Sequence, residues 1–263
     1  MLIAWQTPLV DIQAYLERIN YDGPAAASAD TLRRLQLAHL LTVPFENLSI
    51  HTGEPIVLAD EALFAKIVER RRGGFCYELN GLFAALLRAF GFEVTMLSAE
   101  VANPQGGFSQ PFDHMTLMVK SPQRWLVDVG FGDCFIEPLP LDEAGEQAQG
   151  NRSYRIVHDG DFLVLEQREA PGWAPQYRFK LQPYGYDDYA GMCRYHQTST
   201  QSHFTQKRIC SRLTTESGRI TLSDMQLIET SKDGQRSERT LVNEQEYNSV
   251  LRESFGIVLH AAV

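Results

Sequence analysis

The chain has 263 residues, of which 44% are hydrophobic and 22% charged, so it carries enough apolar material to bury a core in one large domain or two to three small ones. A net charge of −9 argues against a nucleic acid or an anionic membrane surface as the main partner. Cys76, Cys134, Cys193 and Cys210 are far apart, with no C-x-x-C pair and no Cys/His clip, so no metal site is expected. The opening Met1–Gln6 is too short an apolar run for a signal peptide, and no window approaches a membrane span. A reduced, cytoplasmic protein with free thiols is the expectation.

Residues 8–20, with Pro8 early and Ile12, Tyr15, Leu16 and Ile19 on one face, read as a short amphipathic helix that Tyr21-Asp22-Gly23-Pro24 breaks. Ser28 or Asp30 caps a second helix carrying Leu32, Leu35, Leu37 and Leu40, which Pro44 stops. Asp60 caps a third, with Leu63, Phe64, Ile67 and Val68 inward. A fourth opens at Cys76 and runs through Leu79, Leu82, Phe83, Leu86, Leu87 and Phe90 to Gly91. Beyond Gly91 come short runs rich in β-branched and aromatic residues at 92–101, 115–120 and 125–129. Residues 154–158 and 162–166 flank Asp159-Gly160, a hairpin signal, and another strand fits 176–181. This middle section reads as antiparallel sheet, barrel-like. A helix follows over 186–199, then strands at 208–214 and 225–230. Asn243-x-x-Glu246 resembles a capping box for a last helix with Tyr247, Val250, Leu251 and Phe255 inward and Gly256 at its end.

The chemistry concentrates in Arg71-Arg72-Gly73-Gly74-Phe75-Cys76-Tyr77-Glu78-Leu79-Asn80-Gly81. Cys76 stands at the mouth of an apolar helix, where unsatisfied N–H groups and the helix dipole favour a thiolate, provided partners are near. The glycines allow a sharp turn and close backbone approach, or simply cap the preceding helix. A nucleophilic cysteine needs a base, and the base needs a group that fixes its tautomer. Of the histidines at 39, 51, 114, 158, 196, 203 and 260, His39 lies within an amphipathic helix, His158 flanks a turn and His260 is in the tail. His114 opens a strand whose Met115, Leu117 and Val119 share one face, which turns His114 and Thr116 to the other. Asp128 interrupts Trp125, Val127 and Val129 in the same way, and a carboxylate in so apolar a run needs a partner. If the two strands are neighbours, Asp128 orients His114. The alternative is an Asp128 that caps the turn at Gly130-Phe131-Gly132 and a His114 at the surface.

Together, Arg72-Gly73-Gly74-Phe75-Cys76-Tyr77-Glu78-x-Asn80, Asp113-His114-Met115, Asp128-Val129-Gly130-Phe131-Gly132 and the earlier Val43-Pro44-Phe45-Glu46-Asn47-Leu48 resemble the arylamine N-acetyltransferase family. The motifs cover residues 43–132; the rest agrees in length and layout. The resemblance implies an α+β fold with a papain- or transglutaminase-like catalytic core. Its expected parts are a helical bundle bearing the nucleophile (1–91), a β-barrel-like domain bearing the histidine and aspartate (92–200) and an α/β lid (201–263). It also implies a catalytic triad of Cys76, His114 and Asp128, with acetyl coenzyme A as co-substrate and no permanently bound cofactor. Small aromatic amines, hydrazines or hydroxylamines are the implied acceptors. Phe45, Phe131 and Phe204 are candidate acceptor-pocket walls, although Phe45, next to Pro44, is expected mainly to pack in the core. Gly130 and Gly132 are candidates for bringing backbone N–H groups to the coenzyme A pyrophosphate. Glu46 with Arg71 or Arg72 forms an expected structural ion pair. Arg194, Lys207 and Arg208 are nearby basic residues, and a homo-oligomer is left open. The competing readings are a cysteine hydrolase or a dedicated amide synthase on the same triad, and a non-catalytic coenzyme A-binding protein.

Overall fold

The computed structural model describes residues 11–216 and 218–259; the segment Met1–Gln6, the expected helix start at Pro8, and His260 lie outside them. The first helix, α1, spans Ile12–Arg18 and is capped by Asp11, whose carboxylate accepts the Ala14 N–H at 3.0 Å. Ser28, not Asp30, caps α2 (Ala29–Thr42) by accepting the Thr31 N–H, and Val43 ends it before Pro44. Next come strand β1 (Phe45–Glu46), α3 (Leu48–Thr52) and α4 (Asp60–Phe64), which continues into a π-helical turn over Ala65–Glu69. The cap of α4 is Ala59 rather than Asp60; the Asp60 carboxylate instead accepts the Tyr186 hydroxyl at 2.8 Å. Helix α5, Cys76–Ala89, is buried nearly all round, as its run of Leu79, Leu82, Phe83, Leu86 and Leu87 requires.

Strands β2 (Glu93–Val101), β3 (His114–Ser121), β4 (Gln123–Val127), β5 (Leu139–Pro140), β6 (Gln147–Gln149), β7 (Arg152–Asp159), β8 (Phe162–Glu169) and β9 (Gly172–Phe179) make one antiparallel sheet in the order β5-β4-β3-β2-β9-β8-β7-β6. It curls barrel-like around Leu97, Leu126, Phe135, Tyr154, Leu165 and Phe179, while its outer face at Met115, Leu117 and Val119 packs against α5. Alternation along β3 is what allows one strand to serve two cores. The β7–β8 hairpin turns at Gly160-Asp161, one residue later than expected, because Asp159 already pairs with Phe162.

Helices α6 (Tyr186–Thr198) and α7 (His203–Gln206) lead to a second sheet of β10 (Ile209–Leu213), β11 (Arg219–Ser223), β12 (Gln226–Thr230) and β13 (Arg236–Thr240), which α8 (Glu244–Phe255) covers. Asn243 caps α8 by accepting the Glu246 N–H at 3.0 Å, and Gly256 ends it at φ 69°. Strand β1 joins this sheet by pairing with β10, Phe45 opposite Ser211 and Glu46 opposite Cys210. The last sheet is thereby fastened to the cysteine loop, since the Glu46 N–H also donates to the Gly74 carbonyl at 2.8 Å.

Candidate active site

Two tight approaches shape the loop before Cys76. A Cβ on Gly73 would lie 2.0 Å from the Pro44 carbonyl oxygen, and one on Gly74 would lie 2.7 Å from the Glu78 side chain. The glycines therefore admit the chain's own neighbours rather than a helix cap. The Arg18 guanidinium, buried beneath the loop, donates to the carbonyls of Ile67, Thr42 and Arg72 at 2.9, 3.0 and 3.3 Å. Arg72 pairs with Glu46 at 2.7 Å, and both are buried, which selects Arg72 over Arg71 for the expected ion pair. Hydrogen bonds from Arg72 and Leu48, with the charges of Lys66 and Arg72, outweigh the burial that raises the Glu46 carboxyl and hold it below the ordinary range. A second buried pair, Lys66 with Glu78 at 2.7 Å, went unread in the sequence. Glu78 also accepts the Phe75 N–H at 3.1 Å, fixing the residue before Cys76.

Cys76 thus occupies the first position of α5, buried at 3% exposure. Burial pushes its thiol well above the ordinary value; the Met115 backbone N–H opposes this, while the Asp113 and Asp128 carboxylates reinforce it. Standing at a helix start is not enough to ionise this sulfur, so a thiolate here needs a cation beside it.

His114 opens β3, and its Nε2 lies 2.6 Å from Asp128 Oδ2, with both side chains buried. The strands are neighbours, as the expectation required: Leu117 pairs with Val127. Asp128 is not within a strand, since β4 ends at Val127 and the carboxylate sits at the exit. There it collects three more donors: Asn80 Nδ2 at 2.9 Å, the Gly130 N–H at 2.9 Å and the Tyr177 hydroxyl at 3.1 Å. His114, Asn80 and the Gly130 N–H together overcome the burial that raises its carboxyl and keep it below the ordinary range. Asn80, one turn along α5 from Cys76, further donates to the Met115 carbonyl at 2.6 Å and accepts the Val129 N–H at 2.9 Å. It ties the cysteine helix to both strands. A polar residue on the buried face of an apolar helix was the available signal for Asn80; Tyr177 offered none in sequence.

A cavity of about 490 Å³ brings Cys76, His114, Phe45, Phe131, Phe204, Gly130 and Gly132 to one wall system, with Asp128 behind His114. Phe45 faces Phe204 across 6.1 Å, so it lines the cavity in addition to packing. Phe131 stacks edge-on to His114 at 5.1 Å. Gly130 serves differently from the expectation: its N–H points inward to Asp128, and a Cβ there would stand 2.8 Å from the Cys76 Cα. Gly132 has φ +93°, a conformation suited to glycine. Arg208 is engaged by Glu244 at 2.8 Å, whereas Arg219 and Arg236, unremarked in the sequence, border the cavity.

The N-acetyltransferase family profile matches residues 28–263. Arylamine N-acetyltransferase of Escherichia coli strain K12 is 32% identical over 95% of this chain and 89% of that protein. Two solved structures superpose closely. The Salmonella typhimurium arylamine N-acetyltransferase gives a TM-score of 0.90 at 28% identity, covering 98% of this chain and 96% of that one. The Mycobacterium marinum enzyme in complex with CoA gives 0.87 at 32% identity, covering 94% and 93%. By profile, by sequence and by fold, this chain belongs to the arylamine N-acetyltransferase family.

Proposed function

We propose that the protein moves an acetyl group from acetyl coenzyme A to aromatic amines or hydrazines through an acetyl-Cys76 thioester. The observation that carries this reading is the 2.6 Å His114–Asp128 contact at the wall of the cavity that also holds Cys76. Asp128 engages Nε2, which leaves Nδ1 for the sulfur. His114 takes the Cys76 proton, and the resulting imidazolium supplies the counter-charge that the buried thiolate requires. The thiolate adds to the acetyl carbonyl, and collapse expels coenzyme A thiolate, which recovers the proton from His114. Exchange of one thioester for another is nearly balanced in energy. An arylamine, largely unprotonated at neutral pH, then adds to acetyl-Cys76; His114 accepts its proton and returns it to the departing sulfur. The Cys76 backbone N–H, in the first turn of α5, is one oxyanion donor. Phe45, Phe131 and Phe204 exclude water and present flat faces to the acceptor ring. Arg219 and Arg236 at the same cavity are the candidates for meeting coenzyme A phosphates, in exchange with their present partners Asp133 and Glu238.

The division into a helical bundle (1–91), barrel (92–200) and lid (201–263) follows the same reading, with nucleophile, base and cover supplied in turn. No described helix is long and apolar enough to cross a membrane. We place the activity in the cytoplasm, where the four free thiols stay reduced. Isotope-labelled acetyl coenzyme A, incubated with enzyme and an aromatic amine, tests the proposal. Label in the amide supports transfer. Label released only as acetate, or no release at all, assigns the site to a hydrolase or a simple binder.

A further inference from the structure

Asp113, immediately before His114 in the chain, meets a second histidine. Nε2 of His196, on α6, lies 3.2 Å from Asp113 Oδ1, off the ideal N–H···O line, and Nδ1 of the same ring lies 3.1 Å from Ser202 Oγ. His196 is 2% exposed and is walled by Phe75, Tyr77 and Phe204. Ser202 Oγ accepts the Phe204 N–H at 3.3 Å, so its own proton is available to Nδ1. With the Ser202 proton on that bond, the ring is a neutral imidazole whose remaining proton is on Nε2, toward Asp113. Asp113 itself keeps 20% of its side chain exposed and borders the cavity beside Cys76 and His114. Burial disfavours its charge, but its interactions with His196, Ser109 and His114 hold the carboxyl below the ordinary range.

The other charged groups at this cavity are covered or matched: Asp128 is buried behind His114, Asp133 has Arg152 and Arg219, and Arg236 has Glu238. Asp113 faces the cavity with an imidazole as its partner rather than a guanidinium or an ammonium. Its charge is also felt at the sulfur, where it weighs more than that of Asp128.

We propose that Asp113 is a specificity determinant of the acceptor site, favouring aromatic amines and hydrazines that carry positive charge and disfavouring those that carry a carboxylate. This rests on the acyl-transfer reading above. His196 is a positioning residue in this arrangement: held by Ser202 beneath Phe204, it fixes the carboxylate without cancelling its charge. A unit charge a few ångströms from another in a partly desolvated cavity biases binding by roughly tenfold or more.

Three anilines matched by a methylene spacer test the idea: 4-aminobenzyltrimethylammonium, 4-methylaniline and 4-aminophenylacetate, each assayed for kcat/KM with acetyl coenzyme A. The wild type should rank them cation, neutral, anion, with roughly tenfold or more between the extremes. Asp113→Asn, which keeps the shape and an acceptor for His196, should bring the cation-to-anion ratio toward one. A merely structural role would lower all three together and leave the ratio unchanged, which overturns the proposal. So does a wild type that acetylates 4-methylaniline yet treats the charged pair equally or prefers the anion, a result independent of whether the variant folds. If acetylated enzyme fails to transfer even to 4-methylaniline, the arylamine reading falls and this inference falls with it.

Discussion

Replacing Asp128 by Asn exchanges one oxygen for NH₂ and, in either orientation, sets a donor where two of four hydrogen bonds need an acceptor. Oδ1 accepts from Asn80 Nδ2 and the Gly130 N–H, while Oδ2 accepts from the Tyr177 hydroxyl and faces His114 Nε2. An amide has only one oxygen. If that oxygen stays with Asn80 and Gly130, its NH₂ points at His114 and demands a lone pair on Nε2. The ring proton then moves to Nδ1, the nitrogen that in the proposed mechanism accepts from Cys76. The opposite flip sets NH₂ against the Asn80 Nδ2 and Gly130 N–H donors. In either case the imidazolium loses its carboxylate. An Asp→Asn change of this kind in a triad lowers turnover by about 10⁴-fold, or about 5 kcal/mol of barrier. The assay is the single-turnover rate of coenzyme A release from acetyl coenzyme A, with thermal denaturation confirming that the variant folds. A folded Asp128→Asn enzyme within about tenfold of the wild type would refute the role assigned to the pair.

Arg72→Met strands the buried Glu46 carboxylate and should cost about 3–5 kcal/mol in denaturant unfolding. Arg124→Met, which breaks the exposed pair with Asp142, should cost less than about 1 kcal/mol; equal effects would contradict the ranking. His39 is buried between Tyr15 and Phe83 with no hydrogen-bond partner on either ring nitrogen among the described residues, and burial, aided by Arg18, lowers its pKa from 6.5 to about 3. Its folded pKa is the depressed one, so between these values the unfolded chain takes up a proton that the folded chain refuses. Stability therefore falls as pH drops through that window, by up to about 1.4 kcal/mol per pH unit. His39→Leu should flatten the acid limb of a stability–pH curve, and an unchanged slope would count against the assignment.

What could be read in the sequence was local. Ser28, Asn243 and Gly256 announce helix ends because a cap is a contact between residues three or four apart. His114 stood out because β3 alternates, with Met115, Leu117 and Val119 on the opposite face. Strand β13, Arg-Ser-Glu-Arg-Thr, is exposed at every position and has no apolar alternation to betray it. Cys76 was legible from its glycines and its apolar helix, but the purpose of the glycines was not, because it depends on Pro44, brought in from another element. Asn80, Tyr177, Lys66 and His196 acquire their meaning only across the fold. Tyr177 reaches Asp128 over 49 residues of chain, and Asn80 reaches it over 48. The Gly130 N–H looked free for a ligand until the turn brought the Asp128 carboxylate to it.

Intact-mass spectrometry after exposure to acetyl coenzyme A, without acceptor, bears most directly on the covalent step. The account predicts that the wild type gains one acetyl group, located on Cys76, that Cys76→Ala gains none, and that adding an arylamine returns the wild type to its starting mass. An acetyl group on Cys76→Ala, or a wild type whose mass never changes while amide product accumulates, would contradict it.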